Sequence, residues 1–295
     1  MGRMADRTFT LRSGRKVGVT ALGDPDAERI VVFCHAAPGT SVFDPDPGAS
    51  SERNAHIVAL DRPGYGSSDP WPVGGWPSIV QAADDIVEYL RSVVVAESVI
   101  GVSRPRTIGI AGWSAGGRVA LAVAARHPQL IDRVAIVGTP APNEAVPWIA
   151  PAQQELADQL AQLSPADAMA RLSGMLQPQA DAVAAADAQA LGRAGVRDRL
   201  GMMLKDAFRQ GTGGVAGDIL SYTARPWGFE LGDVAAKTLI LAGQADPLAG
   251  HAHAAWYKNA LPDARMEMVP GAGHLAVVPT WGRILSHLAP ATVRR

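Results

Sequence analysis

One segment constrains the fold of this chain more than any other: Thr107-Ile-Gly-Ile-Ala111, then Gly112-Trp113-Ser114-Ala115-Gly116-Gly117, then an alanine-rich helical stretch over 118–126. A β-rich apolar run ends in a glycine-flanked serine and a helix follows, which is the setting that G-x-S-x-G requires. The serine must sit on a very tight turn with strained backbone angles, and side chains at Gly112 and Gly116 would collide across it. The turn frees the Ser114 hydroxyl and aims the first amides of the helix, with their positive dipole end, at the oxygen that reacts. A strand before the motif and a helix after it separate this from a chance match in a loop.

The remaining pattern agrees with an α/β sheet. Runs at 30–34, 56–60, 107–111, 134–137, 238–242 and 266–269 are mostly continuous and apolar, as strands buried on both faces should be. Runs at 7–11 and 17–22 predict an opening antiparallel pair around Ser13-Gly14. Helical stretches lie between the strands, and Ile79, Ala83, Ile86 and Leu90 give one apolar stripe. The expectation is a mostly parallel eight-stranded sheet with helices on both faces. Over 143–223 the character changes to alanine, glutamine and leucine with no strand-like run. There Ser164-Pro165 with Asp167 predicts a helix start, the alanine-rich stretch 180–190 predicts helix, and four glycines in 211–217 suggest a flexible joint. We expect a core of 1–142 and 224–295, with a helical cap of 143–223 inserted after strand six, at the sheet edge where open α/β folds bind ligands.

Composition narrows the function. A formal net charge of -1 in 295 residues advertises no basic face for nucleic acid. No stretch reaches 18 uninterrupted apolar residues, so no membrane span is expected. The one cysteine, Cys34, ends an apolar run and reads as a small buried hydrophobe. Without a partner for a disulfide or an apolar leader at the N-terminus, the expected location is cytoplasmic. No metal-ligand spacing or phosphate-binding loop occurs, so no cofactor and no metal are expected. Oligomeric state is not legible.

Several segments together resemble the α/β-hydrolase superfamily. Besides the elbow at Ser114, Asp61-Arg62-Pro63-Gly64-Tyr65-Gly66-Ser67-Ser68 resembles the D-R-P-G-x-G-x-S turn, expected to brace the loops beneath the site. His35-Ala36-Ala37-Pro38-Gly39 stands where the family has its H-G-x-P oxyanion loop. Gly243-Gln244-Ala245-Asp246-Pro247 resembles the acid loop after strand seven, and Gly271-Ala272-Gly273-His274 resembles the histidine loop. The match runs from about Val17 to Leu288 and fails across the insertion.

The resemblance implies a triad in the chain order Ser114, Asp246, His274. A serine hydroxyl is a poor nucleophile without a base in hydrogen-bond reach, and the base needs an orienting partner. Glu144, just after strand six, is the rival acid. His251 and His253 precede a helix and read as surface or cap residues; His35 is expected to brace its own loop. The oxyanion donors implied are the N–H groups of Ala37 and Ala115. Ala36 stands in place of the family's glycine after His35 and Ala37 is also non-glycine, and a positive φ at Ala36 would strain alanine. The loop also resembles the H-G-G-P-G of proline iminopeptidases with both first glycines lost. Serine at 114 implies an acyl-enzyme, whereas relatives acting on halides or epoxides carry aspartate there. The expected activity is cleavage of a small or medium apolar carboxylic ester, with the acyl substrate lined by Trp113, Met175, Met202, Met203 and Phe208. Proline iminopeptidase, thioesterase, C–C hydrolase or perhydrolase activity are the alternatives, as is a small-ligand receptor that retains the triad. Acidic residues of the insertion such as Glu155 and Asp158 keep the aminopeptidase open, because a carboxylate could bind a substrate ammonium.

Overall fold

A computed structural model of the chain describes residues 7–99 except 25, 26 and 28, then 108–178 and 187–290. Eight strands form one sheet in the order β1-β2-β4-β3-β5-β6-β7-β8. They are β1 (Arg7–Thr10), β2 (Lys16–Gly23), β3 (Ile30–Cys34), β4 (His56–Leu60), β5 (Ile108–Trp113), β6 (Ile131–Val137), β7 (Lys237–Gly243) and β8 (Ala264–Val269). The β1–β2 and β2–β4 pairs are antiparallel and every other pair is parallel. β3 and β5 are buried along their whole length, the consequence of a sheet covered on both faces. β1 and β8 are the edge strands, and Arg265 and Glu267 keep the β8 edge charged. β6 starts at Ile131, earlier than its apolar run, because Asp132 and Arg133 extend it at the rim, where Arg29 bonds Asp132 (Nη1 to Oδ2, 3.0 Å). Thr107 lies outside the described residues.

Helices cover both faces. On α2 (Ile79–Val99), Ile79, Ala83, Ile86 and Leu90 are buried on one stripe, as their spacing predicts. α3 (Ala115–Arg126) is apolar nearly all round, and residues 116–125 are all buried. α10 (Val277–Leu288) closes the opposite face through Val278, Trp281, Ile284, Leu285 and Leu288. α1 (Pro47–Glu52) and α9 (His251–Ala260) complete these layers. No described helix is long and apolar enough to cross a membrane.

Between β6 and β7 the chain runs through α4 (Pro151–Leu160), α5 (Pro165–Met175), α6 (Ala188–Leu191), α7 (Val196–Ala207) and α8 (Gly213–Thr223). α5 starts as expected: Ser164 Oγ accepts the Asp167 N–H at 3.2 Å and Pro165 occupies the first turn. α4, α5 and α8 share a small apolar core of Leu160, Ala168, Leu172, Ala216 and Leu220. Val196, Leu200, Met203 and Leu204 of α7 instead join the core cluster that holds Phe43, Trp113 and Leu275. The glycines at 211–217 are not a joint. Gly213, Gly214 and Gly217 belong to α8, where a Cβ on Gly217 would overlap the Trp71 indole and one on Gly214 would reach the Gly64 carbonyl at 2.9 Å. Gly214 and Gly217 are small because α8 is pressed onto the 62–71 loop. Of the alanine-rich stretch, 180–186 lie outside the described residues, and Ala188–Leu191 is helical.

Candidate active site

The strand-to-helix turn is built as its glycines demand. Ser114 has φ 55 and ψ -123, a sparsely populated conformation that costs of order 1–3 kcal/mol. Among the described residues no other non-glycine residue has positive φ, so Ala36 and Ala37 are unstrained in that respect. Ser114 N–H donates to Val137 O (2.9 Å), and Ser114 O accepts from Gly117 N–H (3.0 Å), which locks the turn between β5, β6 and α3. A Cβ on Gly116 would overlap the carbonyl oxygens of Cys34 and His35, so the first turn of α3 lies directly against the loop that leaves β3.

The three predicted residues meet. His274 Nε2 lies 2.9 Å from Ser114 Oγ, and His274 Nδ1 lies 2.9 Å from Asp246 Oδ2. Asp246 Oδ1 accepts the N–H groups of Leu248 (2.8 Å) and Ala249 (3.1 Å). Burial alone would raise the Asp246 pKa. The hydrogen bond from His274, its charge and the two amides outweigh that and hold the carboxyl below its ordinary value. Glu144, the rival acid, is exposed and lines a shallow groove with Asn143 and Trp148 instead.

Supports that the sequence does not announce surround this relay. Gly138 (φ 52), just past β6, has its Cα so close to the pair that a Cβ would stand 3.2 Å from Asp246 Oδ2 and 3.3 Å from His274 Nδ1. Asp187, 2% exposed at the start of α6, accepts the backbone N–H of His274 (Oδ2, 3.1 Å) and of Leu275 (Oδ1, 2.8 Å). It serves as a cap, supplied from the insertion, for the short turn His274–Ala276 that leads into α10. The sole hint in sequence is that Asp187 is the only charged residue in 182–192.

Other placements differ from expectation. His251 is exposed, but His253 is buried, and its Nδ1 accepts the Ala141 N–H at 3.0 Å, bracing the segment after β6. Trp113 is 3% exposed; its indole N–H donates to His274 O at 2.9 Å and its ring packs 5.4 Å from Phe43. It is a brace for the histidine loop, with little surface left for a ligand. Met175 and Met202 are 55% and 54% exposed, on outward faces of α5 and α7, because the inward positions of those helices are taken by Leu172 and by Leu200 and Met203. Met203 is fully buried, and Phe208 is half-buried at the end of α7. Glu155 and Asp158 are exposed on α4.

Ala115 follows Ser114 directly and Ala37 lies in the loop after β3 against which the first turn of α3 packs; both are partly exposed, and among the described residues neither N–H donates to a backbone carbonyl. Cys34 is buried, and burial pushes its thiol up to about 12, so it is inert as a nucleophile. His35 braces its loop as expected: Nδ1 bonds Ala36 O (2.7 Å) and Nε2 accepts the Arg62 N–H (3.1 Å). Burial, then the Arg62 charge, keep its pKa well below the usual histidine value.

Known proteins agree with this architecture. A pimeloyl-[acyl-carrier protein] methyl ester esterase from Aromatoleum aromaticum is 30% identical over 175 residues, covering 56% of this chain and 66% of its own length, just under two thirds. A hydrolase from Pseudomonas aeruginosa superposes with a TM-score of 0.68 at 21% identity, covering 98% of this chain and all of its own. An enol-lactonase from Burkholderia xenovorans gives 0.64 at 19% identity, covering 95% and 98%. The sequence model of the alpha/beta hydrolase fold matches residues 29–279, and the chain belongs to that family.

Proposed function

We propose that this chain is a serine hydrolase that moves an acyl group from a carboxylic ester to water through Ser114. The observation that carries the reading is the continuous pair of 2.9 Å contacts from Ser114 Oγ through His274 to Asp246. His274 Nε2 takes the hydroxyl proton as Ser114 Oγ bonds the carbonyl carbon. Asp246 accepts from Nδ1, fixes the tautomer and steadies the imidazolium. The N–H groups of Ala37 and Ala115 receive the oxyanion. The imidazolium then returns its proton to the departing alkoxide, and water repeats the sequence on the acyl-enzyme, restoring Ser114.

The helices between β6 and β7 act in this reading as a cap that selects the acyl chain. The inward face of α7, with Val196, Leu200, Met203 and Leu204, packs onto Phe43 and Trp113 and seats the segment on the core, and the substrate in this reading is an uncharged ester of small or medium size. A methyl ester esterase among the relatives and an esterase and a lactonase among the structural neighbours point the same way. An aminopeptidase is disfavoured, because Glu155 and Asp158 face solvent and the two buried carboxylates among the described residues of the inserted segment, Asp187 and Asp218, are already bonded to protein donors.

A fluorophosphonate probe tests the nucleophile. Peptide mapping should place one adduct on Ser114, and Ser114→Ala should abolish both the adduct and hydrolysis of p-nitrophenyl butyrate. Labelling that survives the substitution, or faster cleavage of prolyl amides than of the ester, overturns the assignment of nucleophile or of substrate respectively.

A further inference from the structure

We propose that Arg62 and Asp218 are positioning residues for the oxyanion donor, so that α8 of the inserted segment sets the direction of the Ala37 N–H. The proposal rests on the acyl-transfer reading above and deepens it.

The argument starts at one peptide group. Ala36 O is held by two donors, His35 Nδ1 at 2.7 Å and Arg62 Nη2 at 2.9 Å, while Arg62 Nη1 holds the preceding carbonyl, His35 O, at 2.6 Å. A Cβ on Gly39 would come within 2.7 Å of Ala36 O, so the carbonyl is also enclosed from that side. The one cis bond among the described residues is Ala37–Pro38, so the Ala36–Ala37 peptide is trans. In a planar trans peptide the C=O and the next N–H point in opposite directions. Pinning Ala36 O therefore turns the Ala37 N–H away from the Arg62 side, and that N–H has no backbone acceptor among the described residues. An oxyanion donor works by being oriented before the charge develops, and this arrangement orients it.

Arg62 is itself held from the insertion. Its Nε donates to Asp218 Oδ1 (2.9 Å) and its Nη2 to Asp218 Oδ2 (2.7 Å), a bidentate fork. Tyr65 Oη donates to Asp218 Oδ2 at 2.8 Å. Arg62 and Asp218 are each 4% exposed and Tyr65 is fully buried. Burial works against the Arg62 charge, but the adjacent Asp218 reverses this and holds the guanidinium above its ordinary value. The glycines of α8 bring the helix close enough for the fork to form: Gly214 lies against Gly64 and Tyr65, and Gly217 against Trp71. A lysine cannot replace this. One ammonium on a flexible stem lacks the planar fork that meets a carboxylate and two carbonyls at fixed angles.

Three variants test the relay: Arg62→Lys, Asp218→Asn and Tyr65→Phe. The last removes one hydroxyl and leaves the ion pair, so it is mild enough to fold. Loss of one oxyanion donor costs about 10²–10³ in kcat, so a misdirected one should cost ~10- to 100-fold in Arg62→Lys and Asp218→Asn, and a few-fold in Tyr65→Phe. KM for p-nitrophenyl butyrate should stay within about threefold, since the donor acts in the transition state. The maximal rate of Ser114 phosphonylation by the fluorophosphonate should fall in the same proportion. The midpoint of the pH–rate profile should not move, because Ser114, His274 and Asp246 are untouched. Folded variants that keep kcat within twofold, or lose activity in KM alone, overturn the proposal; for Tyr65→Phe, an unchanged phosphonylation rate does so. Ser114 labelling in the wild type with normal turnover in the variants sinks this relay and leaves the acyl-transfer reading standing. Absence of Ser114 labelling in the wild type sinks that reading first.

Discussion

Asp246 uses both oxygens for different work, and this makes its amide a sharp probe. Oδ1 is taken by the Leu248 and Ala249 N–H groups, so in Asp246→Asn the amide oxygen stays there and the NH₂ faces His274 Nδ1. Nδ1 must then accept, and the ring proton moves to Nε2, the nitrogen that has to take the Ser114 proton. The fold should survive and kcat should drop about 10⁴-fold, the size of the analogous change in a serine protease. Glu144→Gln, at an exposed site, should leave kcat unaltered. If Glu144→Gln were the more damaging substitution in steady-state kinetics, the acid would be misassigned. These side chains were legible because each carries a local signal: paired glycines at Ser114, a proline after Asp246, Gly-Ala-Gly before His274. Gly138 was not, since a glycine that ends a strand looks the same whether it makes room for a turn or for a catalytic pair.

At the scale of elements, strands buried on both faces announce themselves, and β3, β5 and the α2 stripe follow from apolar runs and spacing. The inserted helices were legible as helices but not in their docking. Four glycines at 211–217 read locally as flexibility, whereas close packing of α8 on Tyr65 and Trp71 decides the size of two of them, Gly214 and Gly217. Methionines read as a substrate wall fall on both faces of their helices, since no core-facing phase could be set without the partner surface. The two buried acids among the described residues of the insertion do leave a trace, each being the only charge in its run, 182–192 for Asp187 and 210–224 for Asp218. Buried carboxylates require partners, and those partners lie far away in sequence. For Asp187 they are the His274 and Leu275 amides, so Asp187→Ala strands two buried donors. We expect a stability loss of about 1–3 kcal/mol in urea unfolding, from the cost of unsatisfied groups. The freed His274 backbone should also slow Ser114 phosphonylation. Unchanged urea midpoint and unchanged labelling rate together would show that the insertion does not hold the histidine loop.

For the molecule as a whole, a formal net charge of -1 leaves little global repulsion, so its response to mild acid is governed by particular buried groups. Four histidines have pKa values lowered chiefly by burial: His35 well below 6.5, and His127, His253 and His287 in the same direction. Their bonds explain why neutrality is required. His35 Nε2 and His253 Nδ1 each accept a backbone N–H, from Arg62 and Ala141, and a proton placed there would face another donor. In the unfolded chain the same rings titrate near their reference value of about 6.5. Between the lowered native value and 6.5 the unfolded state binds more protons, so stability rises with pH across that window. It is fully present above 6.5 and lost as the pH falls, at up to about 1.4 kcal/mol per pH unit for each such histidine. Burial raises Asp44, Asp61 and Asp85, which acts in the opposite sense, but from the carboxylate value of 3.8 upward rather than from 6.5 downward. Thermal melts at constant ionic strength should show a Tm that is level from pH 7.5 to about 6.5 and falls by pH 5.5. A Tm that holds or rises at pH 5.5 would mean that these rings do not stay neutral in the native fold.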